Sequence, residues 1–167
     1  MNAQSPFAIA NYFIRKAADA GVPLTPMKLI KLVYIAHGWY LALAGKGLIR
    51  EPIEAWRYGP VIESLYHAFK CYGNKPLPLS AATDAVITDN EHEDIRRLLD
   101  RVWELYSKFT PAQLSTITHQ PDTPWSQVYD PNQRSVIIPD ELIKKHYQAK
   151  FDARKRITTA PTAASAT

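Results

Sequence analysis

Residues 26–44, PMKLIKLVYIAHGWYLALA, leave the chain few ways to fold. Leu29, Ile30, Leu32, Val33, Ile35, Ala36, Trp39 and Leu41 point in nearly every direction around a helix of about 3.6 residues per turn. A helix apolar on all sides is stable in water only when other elements cover it all round. This segment is therefore predicted to be the buried centre of the domain. Its limits are legible. Thr25 offers a capping side chain, Pro26 suits a first helical position that needs no N–H, and Gly45 stops the helix. Leu24 and Leu29 stand where a hydrophobic staple would clasp the cap. The polar exceptions are Lys28 and Lys31, one turn apart near the start, and His37.

The rest of the chain has to wrap this helix, and most of it carries helical spacing. Ser5-Pro6 opens a first helix with Ile9, Phe13 and Ala17 on one face and Gly21 at its end. KGLIREPIEAWRYGP carries β-type residues around Gly47 and Pro52 and predicts a small hairpin or edge strand near 48–58. Gly59-Pro60 is expected to launch a helix over 61–72, closed by Gly73. Asp89 is expected to cap a helix bearing Ile95, Leu98, Leu99, Val102, Leu105, Tyr106 and Phe109, with Glu91, Glu93 and Asp94 favoured in its first turn by the helix dipole. Thr110-Pro111-Ala112-Gln113 has capping-box spacing, and Thr123-Pro124 opens a further helical turn through Tyr129. SVIIP is at most a short strand, and a last helix begins near Pro139 and runs into the basic end. The reading is a mainly α, single compact domain over residues 1–150, of about six helices around the central one. A basic, then Ala/Thr-rich tail over 151–167 is expected to be disordered.

Composition supports a folded chain. A hydrophobic share of 46%, with four Trp, nine Tyr and five Phe in 167 residues, fills a core of this size. Cys71 is the single cysteine, so neither an internal disulfide nor a cysteine-rich zinc site is available. No basic leader followed by an apolar run is present, and no apolar run reaches the roughly 18 residues of a membrane span, which predicts a cytoplasmic protein. The net charge of +4 is uneven. Lys144, Lys145, Lys150, Arg154, Lys155 and Arg156 against Asp152 put +5 within 144–156 and leave −1 for all other residues. Such an end suits an acidic partner or nucleic acid, or is simply a solvated helix end.

Motifs of catalysis are missing. No GxSxG, GxGxxG or P-loop occurs, and the five histidines are scattered. His67 and Cys71 stand four apart on one helix, but two ligands without a third do not hold a metal. No catalytic residue, cofactor or metal site is therefore assigned. What stands out instead is EAWRYGPVIESLY, residues 54–66. Trp, Tyr and Arg are the residues enriched at the energetic centres of protein interfaces, which makes Trp56, Arg57 and Tyr58 candidates for a partner surface. In an extended segment Trp56 and Tyr58 share one face and Arg57 takes the other, so Trp56 is expected to be mostly buried and Arg57 more exposed. Gly59 and Pro60 are assigned to the turn. Lys28 and Lys31 read either as a cationic spot for an acidic partner or as two lysines snorkelling along the helix's one solvated stripe. In THQPDTPW, Trp125 is read as filling a core or groove or as a partner contact, and His119 as a hydrogen-bonded brace or a partner contact.

Three blocks in this order carry a family resemblance. TPMKLIKLVYIAHGWYLALAGKGLIREPIEAWRYGPVIESLYHAFKCYG, then LSTITHQPDTPW, then IIPDELIKKHY together resemble the Panacea domain of the SocA-like antitoxins, which include phage-associated GepA-type proteins. The Lys-Leu pairs are Lys28-Leu29 and Lys31-Leu32, followed by Tyr34, and the resemblance spans residues 5–148. It implies a bacterial or phage toxin–antitoxin role without catalysis. The implied partner is a cognate protein toxin, encoded by an adjacent gene and neutralised by direct binding. The resemblance also implies an alternative, an adaptor that hands a toxin to a cytoplasmic ATP-dependent protease; the charge of residues 144–156 raises another, a DNA-binding autoregulator of its operon.

Overall fold

The computed structural model describes residues 3–88 and 92–159. It is mainly helical, as expected, with seven α-helices and a small antiparallel sheet among the described residues. The helices are α1 (Pro6–Ala20), α2 (Pro26–Ala44), α3 (Glu63–Phe69), α4 (His92–Tyr106), α5 (Pro111–His119), α6 (Pro124–Val128) and α7 (Asp140–Thr159). The strands are β1 (Ile53–Trp56), β2 (Gly59–Val61) and β3 (Val136–Ile138), in the order β2-β1-β3.

The four Ser/Thr-Pro starts all cap helices. Ser5 accepts from the N–H of Phe7, Thr25 from Lys28, Thr110 from Gln113 and Thr123 from Ser126, each followed by proline. Each cap satisfies a donor that the first turn would otherwise leave orphaned, an effect of about 1 kcal/mol. Gly21 and Gly45 end α1 and α2 in the left-handed region.

As predicted, α2 is the hub. Every residue from Lys28 to Leu41 is buried, and the helix packs against α7 above all, then α4, α5 and α1. The approach to α7 depends on Gly38: a Cβ there would fall 2.2 Å from the ring of Tyr147. That ring meets Tyr34 and Trp39 edge-on, with centroids 6.3 and 5.2 Å apart, and Trp39 Nε1 donates to the Tyr106 hydroxyl at 3.1 Å. Buried His37 is satisfied on both nitrogens. Its Nδ1 accepts from the N–H groups of Leu48 and Ile49, so the proton sits on Nε2 and is donated to Asp140 at 2.9 Å. One imidazole thereby ties α2 to the chain entering the sheet and to the start of α7. The long connection before α4 is pinned by side chains from the N-terminus. Asn11 bonds the backbone of Thr83 and Ala85, and Gln4 bonds that of Thr88.

Three expectations are corrected. Gly59-Pro60 does not launch a helix: both lie in β2, and α3 begins at Glu63 after Ile62, which gives no side-chain cap. The proline fits because β2 is an edge strand, where a missing ladder donor is tolerated. Trp56 and Tyr58 do not share a strand face either. Trp56 pairs with Gly59, so Arg57 and Tyr58 are the two apical residues of a hairpin turn and the alternation ends at Trp56. Residues 151–159, assigned to a disordered tail, continue α7 as helix. Aromatic rings beneath its cations hold that end: Lys150 lies over Tyr147, Arg154 over Trp39 at 4.9 Å, and Lys155 over Phe151 at 4.6 Å. The Asp89 cap, Glu91 and residues 160–167 lie outside the described residues.

Candidate partner surface

The hairpin tip is gripped from behind through its backbone. Trp125 Nε1 donates to the carbonyl of Trp56 at 2.6 Å, Ser115 Oγ to that of Tyr58 at 2.7 Å, and Lys31 Nζ to that of Pro60 at 2.8 Å. Three carbonyls, at alternate positions across a tight turn, are thus each satisfied by a side chain from α6, α5 or α2. Groups that would otherwise need water are held by the protein itself, so the tip is fixed in place without using the side chains it displays.

Each donor is itself positioned. Thr123-Pro124 caps α6 so that Trp125 emerges in its first turn, stacked on Tyr129 with centroids 4.4 Å apart and meeting the edge of His119 at 5.2 Å. His119 Nδ1 donates to the carbonyl of Ser115, one turn earlier on α5. Lys31 is only 2% exposed. Burial, with no acid to offset it, pushes its pKa down to about 7. Gly59 makes room for it: its φ is +112°, and a Cβ there would fall 2.8 Å from Lys31 Nζ. Glycine is therefore required at position 59 on two counts, one conformational and one steric.

On the outer side, Tyr58 is 59% exposed, with the Arg57 guanidinium 5.4 Å over its ring. Trp56 is half-buried, its Nε1 donating to buried Glu54 at 2.7 Å and its ring meeting Tyr66 edge-on at 4.8 Å. Beside the tip runs a groove of about 360 Å³ between the start of α2, the hairpin and α3. Met27, Tyr58 and Tyr66 are its exposed apolar walls, and Lys31, Arg57 and Lys70 its cations.

Six of the seven residues singled out from sequence as partner contacts meet at this hairpin, in two different roles. Arg57 and Tyr58 face outward, with Arg57 exposed as predicted, while Trp56 is less buried than predicted. Lys31, His119 and Trp125 form the support behind them. Lys28 does not take part: it is buried, with its ammonium on the carbonyl of Ser107, where burial lowers its pKa. The solvated stripe imagined for the two lysines does not exist, because α5 and the α4–α5 connection cover that side of α2. Ser115, Met27 and Tyr66 were missed. Ser115 stands in LSTITH, and only its one-turn spacing from His119 hinted at a shared task. Among the described residues no three His, Cys, Asp or Glu side chains gather as a metal site requires, and no helix is long and apolar enough to cross a membrane.

A family model described as antitoxin SocA-like, Panacea domain, matches residues 29–126. Antitoxin SocA of Caulobacter vibrioides (strain NA1000 / CB15N) is 28% identical to the chain over 128 residues, which are 72% of this chain and 68% of that protein. No solved structure matches. The family-matched span contains the whole hairpin and all three donors that grip it.

Proposed function

The chain belongs to the SocA-like antitoxin family that carries the Panacea domain, and on that premise we propose that it is an antitoxin that neutralises a protein toxin by binding it directly through the hairpin tip. The observation that carries the choice of surface is the triple backbone grip. Arg57 and Tyr58 are held out on a fixed turn, both exposed. A preorganised aromatic and guanidinium pair loses little conformational freedom on binding, which is what makes such residues effective anchors.

Co-expression with the product of the adjacent open reading frame tests this reading. That product should arrest growth alone, be harmless beside the antitoxin, and co-purify with it. An Arg57→Ala, Tyr58→Ala double variant should lose protection and co-purification while unfolding at the wild-type temperature, since neither side chain supports the fold. A neighbour that is harmless by itself, or that stays toxic and does not co-purify, defeats the reading.

A further inference from the structure

The groove beside the tip has a composition that the tip alone does not explain. Its lining includes three cations, Lys31, Arg57 and Lys70, and not one Asp or Glu. Its walls carry three large apolar side chains exposed to solvent, Met27 and Tyr66 at 39% and Tyr58 at 59%. Lys31 is the unusual member. An ammonium has three N–H donors, and the hydrogen bond it makes here goes to a neutral carbonyl, that of Pro60. Among the described residues no carboxylate pairs with it, and nothing compensates its burial. A buried cation without a counter-ion is costly, and the cost falls when a carboxylate is brought to it in a site that excludes water.

We infer that this groove receives a segment of the toxin that presents an apolar side chain beside a carboxylate, the apolar group lying between Met27 and Tyr66 and the carboxylate meeting the exposed Arg57 and Lys70 cations, with Lys31 buried behind them. The assignment rests on the proposed toxin binding and names which chemistry of the partner is read. Charge complementarity sets the choice: an apolar segment with basic flanks would bring like charges together, which suppresses binding. The tip then supplies one wall of the groove as well as a contact of its own, and Lys31 fixes the tip while adding its charge from behind that wall.

The test uses the full chain and the product of the adjacent open reading frame, with affinity measured by calorimetry at low and high salt. Lys70→Glu and Arg57→Glu alter exposed side chains and leave the fold intact; each should weaken binding about tenfold or more at low salt, less at high salt. Tyr66→Ala should weaken it at both salt concentrations alike. Arg97→Glu, exposed on α4, should leave affinity unchanged. Equal affinity for all four variants, or equal losses including Arg97→Glu, overturns the groove assignment while direct binding stands. Absence of binding by the unaltered chain overturns direct binding and the groove with it. A chain that is dimeric by itself and becomes monomeric with Tyr66→Ala has a second copy in the groove, which also overturns the assignment.

Discussion

The two ends of α2 both bring cations against apolar surface, and they do so in opposite ways. At the N-terminal end the lysines belong to α2 itself and are buried, with their ammonium groups on backbone carbonyls at Ser107 and Pro60. At the C-terminal end the cations belong to α7 and stay at the surface, lying over the rings of Trp39, Tyr147 and Phe151. The first arrangement fixes a hairpin at the cost of desolvating charge. The second docks a helix end by stems and rings, with Arg154 and Lys155 exposed and Lys150 partly buried, where burial lowers its pKa. Stability should therefore reside at the α7 end, while buried titratable groups make both ends sensitive to pH: Lys31 between about 7 and 10.5, and His146 on α7, its pKa lowered to about 4 by burial, at acid pH.

The largest effect expected from this contrast is at Trp39. Trp39→Ala removes a buried ring that contacts Tyr147, donates to Tyr106 and underlies Arg154. It should lower the unfolding free energy by about 3–5 kcal/mol in a denaturant titration. A smaller loss than that of any hairpin variant would invert the contrast. Next comes Gly59→Ala, expected to cost about 1–3 kcal/mol from its backbone conformation. The added methyl group also meets Lys31 Nζ, so the same substitution should cost less in a Lys31→Ala background; strict additivity would show that the two positions are independent.

The pH dependence is the third. The Lys31 pKa is about 7 in the folded chain, against an ordinary value of 10.5. Between these values the unfolded chain binds more protons, so the stability linked to Lys31 is full above about 10.5 and is lost as pH falls through about 7. The wild-type unfolding midpoint should accordingly rise from pH 7 towards pH 10 relative to that of Lys31→Met. Parallel profiles for the two proteins would remove Lys31 as the source. The smallest effect is expected at Arg154→Ala, about 0.5–1 kcal/mol, with faster amide exchange confined to the last turns of α7. Unchanged exchange there would mean that Phe151 alone holds the end.

Much of the fold could be read from residue order because its signals are local. An all-round apolar segment needs cover on every side, and a Ser or Thr before Pro favours an N-cap, so α1, α2, α5 and α6 were placed by residues next to them. The hairpin was harder for a physical reason. Proline satisfies the backbone of a first helical turn and of an edge strand alike, and only pairing with β1 decides that Pro60 lies in a strand. The site was half legible. Trp56, Arg57 and Tyr58 stand out as interface candidates by type, but which of them faces out depends on Ser115, Trp125 and Lys31 reaching three carbonyls from far along the chain. The burial of Lys31 was not legible because lysine is rarely buried without a carboxylate, and the carbonyl that receives it carries no mark in a sequence. The helical end of α7 was hidden for a similar reason, since its cations read as solvated until the rings beneath them are known.

Every amino acid has a main-chain carbonyl, so a turn gripped by its carbonyls makes few demands on the residues at positions 57 and 58. Their side chains are free to vary while the geometry that presents them stays put. Substitutions at these two positions should therefore change the surface chemistry of the tip one side chain at a time while its backbone, and the fold behind it, stay as they are.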